Sequence, residues 1–324
     1  MIGRSILQSS VIVGAVVCVT AAAASAQTPR TPWGDPDLQG AYTNSDESLI
    51  PMERPDALTG RALGDISAAE LARLNEQRNE DRIEADKQRW ELRSPLHWFE
   101  NHDPKNSRAW LVVDPPDGKI PPQTADARAR AASRAQARRG RGDADSYEDR
   151  SLYDRCITRG LPGSMMPAIY GNSYQILQTP DYVAIRYEMI HETRIIPLDN
   201  RPHASSKIRT YMGDARGRWE GDTLVVETTN FRGETGYQNS SAATLKLTER
   251  FTRVGPTTVK WAVTVEDPMT WARPWTYAMP LTMDDTQPVL EYSCHEGNLG
   301  LRNILSSARA EEKAAEDAGA QSVR

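Results

Sequence analysis

The chain has 324 residues, with 39 Lys and Arg against 44 Asp and Glu and a formal net charge of −5. A mildly acidic chain of this kind is a poor candidate for binding nucleic acid or an anionic membrane surface. Its length suits one large domain with extensions or two small domains.

Residues 1–26 have the three-part order of a secretory signal peptide. Arg4 is their one charge, an apolar stretch covers 11–19, and the small residues Ala24-Ser25-Ala26 precede Gln27. The alternatives are a membrane anchor or a lipid attached at Cys18, but the apolar stretch falls short of the roughly 20 residues that a span needs. We therefore expect cleavage after residue 26, a periplasmic or secreted location, and no membrane span in the mature chain.

The cysteines agree with export. Cleavage would remove Cys18 and leave Cys156 and Cys294. Two cysteines in an oxidising compartment most simply form one disulfide. Two buried thiols are the alternative.

Residues 27–150 predict an N-terminal arm, a helix and an Ala/Arg-rich loop. The arm is rich in Pro and Gly over 29–55, with a short strand at 38–43. Ser67-Ala-Ala-Glu70 is a capping box that predicts a helix to about residue 93. Residues 95–122 indicate an irregular segment. Residues 125–149 have too few apolar side chains to pack, so we expect an exposed loop rather than a basic patch for an acidic partner.

Residues 151–310 predict a β domain, followed by a charged tail at 311–324. Turn residues separate β-rich runs, which are residues 174–178, 182–189, 193–198, 218–229, 245–254, 257–266, 274–283 and 289–295. Short spacing without intervening helices favours an antiparallel meander. We expect a mainly β fold, an antiparallel up-and-down barrel of the calycin or lipocalin type, because closure removes exposed edges. A two-sheet sandwich is the alternative, and a short helix is expected near 301–308.

Four motifs carry a resemblance. They are Pro32-Trp-Gly-Asp-Pro-Asp-Leu-Gln-Gly40, the run from Tyr211-Met-Gly-Asp to Asn230-Phe231, Leu247-Thr-Glu-Arg-Phe251, and Glu291-Tyr-Ser-Cys-His-Glu-Gly-Asn298. In these motifs the chain resembles a large family of secreted bacterial proteins without an assigned activity. Gly40-Ala41-Tyr42 is also similar to the lipocalin G-x-W motif, with Tyr in place of Trp. The resemblance implies a barrel but no reaction.

The chain has no phosphate-binding G-x-x-x-x-G-K-[ST], dinucleotide-binding G-x-G-x-x-G, H-E-x-x-H or G-x-S-x-G motif. We therefore expect no cofactor. Three histidines with Glu188 could ligate a metal, but their spacing is not compact, and we expect no metal site.

The densest polar cluster predicts a catalytic site at one rim of the barrel. A hairpin and its following loop carry five candidate catalytic residues, which are His191, His203, Arg194, Glu188 and Asp199. His191 would be the general base or acid, and His203 is a second histidine. Arg194 would hold an anionic group, and Glu188 or Asp199 would orient the imidazole. Histidine beside a carboxylate is common equipment for acid–base chemistry near neutral pH. The alternative is a solvated hairpin whose charges pair with each other.

Five further residues are candidates for substrate binding. Tyr182 and Arg186 share a strand face, and if that face points inward, the polar interior indicates a ligand site. Trp271 and Trp275 are core residues or cavity wall. His295 would be placed rigidly by the adjacent disulfide.

These observations leave three functions open. The first is an exported, cofactor-independent acid–base enzyme, such as a lyase, hydratase, isomerase or hydrolase, acting on a small organic molecule or glycan fragment. The second is a non-catalytic, lipocalin-like ligand carrier or sensor, and the third is a structural envelope protein. The sequence does not indicate an oligomeric state.

Overall fold

The computed structural model describes residues 28–89, 104–168, 170, 172–233, 237–286 and 288–322. Three α-helices are α1 (Ala68–Arg89), α2 (Ala125–Ala137) and α3 (Gly300–Ser322). Ten strands are β1 (Gly40–Thr43), β2 (Val112–Asp114), β3 (Ser173–Gln178), β4 (Tyr182–Tyr187), β5 (Thr193–Pro197), β6 (Asp214–Glu220), β7 (Thr223–Thr229), β8 (Lys246–Gly255), β9 (Thr258–Glu266) and β10 (Trp275–Met283). Three of the predictions lie outside the described residues. They are the signal peptide at 1–26, the helix end at 90–93 and the first part, 95–103, of the irregular segment.

The strands form an antiparallel, nearly closed barrel. Their order is β5-β4-β3-β1-β10-β9-β8-β7-β6, with β2 attached to β10. From β3 to β5 and from β6 to β10 each strand pairs with its neighbour in sequence, and β1 joins the two halves by pairing with both β3 and β10. The expectation of a mainly β, up-and-down barrel is confirmed.

The barrel closes between β5 and β6, which are the first and last strands of the hydrogen-bonded order and lie in contact. We call this junction the seam. A Cβ on Gly217 of β6 would lie 2.7 Å from the side chains of both Ile196 and Leu198. Glycine therefore permits the close approach of β6 to β5 and the chain that follows it.

The chain between β1 and β2 forms a second, smaller apolar cluster beside the barrel. Strand β2 pairs with β10, and Trp110 just before it is 2% exposed. A small apolar cluster forms there from Leu58, Ala109 and Trp110, with Leu71 and Leu74 of α1 against it. The α1 N-terminus begins as predicted, because the Ser67 hydroxyl accepts from the backbone N–H of Glu70 at 3.2 Å.

Residues 125–137 form a helix, so the expectation of a loop there is wrong. Alanine, arginine and glutamine have high helix propensity and need no apolar face to be helical. The Thr124 side chain caps the first turn by accepting from Ala127 N at 3.1 Å. Arg130 then ties the helix to the barrel by donating to Thr270 Oγ1 at 2.9 Å.

Residues 289–295 do not form the predicted strand. Strand β10 already pairs with β9 along one edge and with β1 and β2 along the other, so the barrel offers no free edge beside it. Instead the segment runs across the outside, where Arg186 donates to Val289 O at 3.2 Å. The predicted disulfide joins Cys156 and Cys294, with their Cα atoms 5.7 Å apart, and fixes this segment before α3.

Candidate functional site

The inner face of the barrel is defined by the strand register. Cross-strand partners share a face, and successive residues of a strand alternate between faces. One row around the wall passes from β10 to β6 through Tyr277, Val263, Glu249, Val226 and Gly217. All five are buried, so this row faces inward.

A buried ion pair crosses the interior. The side chains of Arg194 on β5 and Glu249 on β8 are 3% and 0% exposed, and Arg194 Nη1 lies 2.6 Å from Glu249 Oε2. Trp261 Nε1 donates to the other carboxylate oxygen at 3.1 Å. Both oxygens of Glu249 are therefore engaged.

The same interior holds polar atoms without partners. Within the described residues, buried side-chain atoms that make no hydrogen bond include Arg194 Nε and Nη2, Trp275 Nε1, and the hydroxyls of Tyr187 and Thr228. Buried polar groups are nearly always hydrogen-bonded, because leaving one unpaired costs about 1–3 kcal/mol. We call Arg194, Glu249, Tyr187, Tyr277 and Trp275 the interior cluster.

Burial also fixes the protonation of the cluster. It raises the pKa of Tyr187 and of Tyr277 well above the ordinary tyrosine value. Burial lowers the pKa of Arg194, but the nearby Glu249 carboxylate more than compensates, and the pKa of Arg194 is raised overall. At neutral pH both phenols therefore keep their protons and Arg194 keeps its charge.

Aromatic rings line one side of the cluster. The ring centroids of Trp275 and Tyr277 are 5.8 Å apart, and that of Tyr237 lies 6.2 Å from Tyr277. Trp271 meets Trp275 edge-on at 5.6 Å. The predicted pair Trp271 and Trp275 is thus buried, and Trp275 belongs to the interior.

The other predicted strand face points outward. On β4 the buried residues are Val183, Ile185 and Tyr187, whereas Tyr182 is 41% exposed. Arg186 lies on the outer face with Tyr182 and contacts the segment after β10. Tyr182 and Arg186 therefore do not line the interior, because the opposite face of β4 turns inward.

His191 and Glu188 lie at the rim. The turn after β4 places Ile190 and His191 in left-handed backbone conformations, with φ of 60° and 46°. His191 is exposed, and its Nδ1 lies 2.9 Å from Tyr292 O. Glu188 accepts from the backbone N–H of Ser173 at 3.3 Å.

His203 lies on the outer surface. Its Nδ1 and Nε2 are 3.0 Å from Asp214 Oδ2 and 3.3 Å from Glu227 Oε1. Glu227 is adjacent in β7 to the inward-facing Val226, so it faces outward. The histidine thus pins the β5–β6 connection to the outside of the wall. Asp199 in the same connection pairs with Arg201 at 2.5 Å.

The structure does not bring the predicted catalytic residues together. Arg194 points inside, His191 is exposed at the rim, and His203 lies outside the wall. His295, next to the disulfide, is also exposed. The expectation that His191, Arg194 and His203 share one cavity is not met, because the sheet itself separates the arginine from His203.

Sequence reasoning missed Glu249, Tyr187 and Tyr277. A signal for Glu249 was present, since it alternates with Leu247 and Phe251 and so occupies an apolar strand face. A carboxylate in such a position predicts a buried partner. Its pairing with Arg194 depends on barrel closure, which brings together strands that are distant in sequence.

Comparisons with known proteins do not identify this chain. No family model matches it, and neither does any curated protein, so the resemblance to secreted bacterial proteins stays a prediction. Among solved structures, it is similar to a mutant of the fluorescent protein UnaG, with 12% identity over 41% of this chain and 85% of that one, at a TM-score of 0.22. The barrel assignment therefore rests on the strand pairing of this chain.

The α-helices in the described part of the chain include none with the length and apolarity to cross a bilayer. The Cys156–Cys294 disulfide is compatible with export.

Proposed function

We propose that the protein is an exported ligand-binding barrel, a carrier or sensor that holds a small organic molecule against the interior cluster. One observation carries the proposal. Arg194, Tyr187 and Trp275 bury hydrogen-bond donors that have no partner among the described residues. Each buried donor without a partner costs about 1–3 kcal/mol. A molecule that accepts these hydrogen bonds would therefore bind in the interior and raise the free energy of unfolding.

Binding is favoured over catalysis by the state of the acidic and basic groups. The one carboxylate in the interior cluster, Glu249, has both oxygens engaged by Arg194 and Trp261, and neither His191 nor His203 faces that cluster. Fixed donors and an aromatic wall are features of ligand-binding sites, and both are present in the interior. An acid–base enzyme remains the alternative, and turnover of the bound molecule would favour it.

Export is part of the proposal. The signal-like residues 1–26, the Cys156–Cys294 disulfide and the lack of a spanning helix in the described chain support a periplasmic or secreted carrier. N-terminal sequencing of the protein from its native envelope tests this part. The expected start is Gln27 or a neighbour, and an intact Met1 would contradict it.

The binding proposal is tested by screening a library of small organic molecules against the purified protein for an increase in Tm. Hits are then titrated into two variants. The double variant Arg194→Met with Glu249→Gln removes the donors and their counter-charge together, and we expect it to lose the hits. Glu227→Gln, a carboxylate change on the outer face, is the matched control and should bind as the wild type does. Unchanged affinity in the double variant would place the binding site elsewhere.

A further inference from the structure

The free edge of Arg194 has a defined geometry. A guanidinium offers planar forks of parallel N–H groups that match paired oxygen acceptors. Glu249 uses Nη1, which leaves Nε and Nη2 on the opposite edge, and both are buried without partners in the described chain. An intact fork is therefore directed at the interior.

The remaining groups of the interior cluster are also donors. Trp275 Nε1 can only donate, and the Tyr187 and Tyr277 hydroxyls keep their protons. A complementary molecule must bring oxygen acceptors rather than further donors.

The net charge of the interior decides whether the acceptor is a charged carboxylate or a neutral carbonyl. Among the buried residues of the described strands, only Arg194 and Glu249 carry charge, and they neutralise each other. A carboxylate on the Arg194 fork would leave one net negative charge in the buried interior, since Glu249 already neutralises Arg194. Burying an uncompensated charge is expensive, whereas a carbonyl oxygen accepts the same bonds without it.

We infer that the molecule is uncharged and places a carbonyl-type oxygen, as in an amide, ester, lactam or ketone, on the Nε–Nη2 edge of Arg194. The inference rests on the proposed function and narrows its ligand. Trp275 and Tyr277 also lie in this interior, and such aromatic side chains favour an apolar or aromatic body on the same molecule. In this arrangement Glu249 sets specificity: it cancels the charge of Arg194 while leaving the fork free.

Two probes of nearly equal shape test the inference. Naphthalene-2-carboxamide is neutral at pH 7, and 2-naphthoate is a carboxylate. Isothermal titration calorimetry of each into the wild-type protein should show the carboxamide binding at least about tenfold more tightly, a difference that corresponds to ~1.4 kcal/mol.

Glu249→Gln should reverse this preference, because the unpaired guanidinium then attracts the anion. Glu227→Gln on the outer face should keep the wild-type order. If Glu249→Gln does not fold, the wild-type comparison still decides between the probes. Tighter binding of 2-naphthoate to the wild type would overturn the inference and leave the proposed function standing. Binding of neither probe would also overturn the inference, and the Tm screen would then decide the proposed function independently.

Discussion

Replacing Arg194 by methionine isolates the energetic role of the buried ion pair. The change removes the guanidinium and leaves the Glu249 carboxylate, 0% exposed, with Trp261 as its remaining donor. Loss of one member of a buried pair typically costs 3–5 kcal/mol. Methionine also removes the two unpartnered donors of Arg194, so we expect the lower end, about 3 kcal/mol lost from the free energy of unfolding.

Adding Glu249→Gln to Arg194→Met removes the uncompensated charge. The glutamine oxygen can still accept from Trp261, so the double variant should recover most of the loss and can equal or exceed the wild type. Urea unfolding followed by tryptophan fluorescence measures both steps. A loss below about 1 kcal/mol for Arg194→Met, or a double variant no more stable than the single one, would refute the view that the pair is buried and mutually dependent.

Three further predictions concern stability. Replacing Cys156 and Cys294 by serine, singly or together, should lower the free energy of unfolding alike, by up to about 5 kcal/mol for a loop of 138 residues, as urea titration would show; alkylation of two thiols in the native protein would contradict it. Gly217→Val should destabilise the fold by about 1–3 kcal/mol through overpacking at the seam and so lower Tm, while Gly64→Ala, where an added Cβ meets nothing within 4 Å, should change Tm little; equal Tm values would count against the close approach. Burial raises the pKa of Glu47 above its ordinary value of 4.5, so the folded state binds this proton more tightly than the unfolded state does. The free energy of unfolding therefore falls as pH rises from about 4.5 through the raised pKa of the folded state. Glu47→Gln should reduce that fall in urea midpoints measured against pH, and an unchanged profile would assign it to other groups.

The barrel could be predicted because its signals are local. Gly221 and Asp222 form the turn between β6 and β7, and Gly221 has a φ of 60° that suits glycine. Alternation and turn residues fix each hairpin, and the short hairpins then fix the meander. The helix at 125–137 was missed for the opposite reason: the expectation weighed apolar content, whereas helix propensity and the Thr124 cap decide the local structure.

The site was harder to predict because it depends on which face turns inward and on contacts between distant strands. On β4 both faces carry mixed side chains, so Tyr182 and Arg186 were as plausible inside as Ile185 and Tyr187. The Arg194–Glu249 pair spans 55 positions and forms only when the barrel closes. The dense run of histidines and carboxylates between β4 and β6 led to the predicted catalytic site. The better indicator of the buried polar site was the single carboxylate Glu249 on an apolar strand face.

The seam leaves two strands of the barrel wall, β5 and β6, with a hydrogen-bonded ladder on one side only. Strand β5 has a hydrogen-bonded ladder to β4 on one side and meets β6 through side-chain contact at Gly217 on the other. Elements with fewer backbone bonds open at lower free energy, so we expect the amides of β5 to exchange with solvent faster than those of β8 or β9. Because β5 also carries Arg194, the strand that would bind the proposed ligand is one of those expected to open at the lowest free energy. Entry and release would then be coupled to the breaking of one buried ion pair.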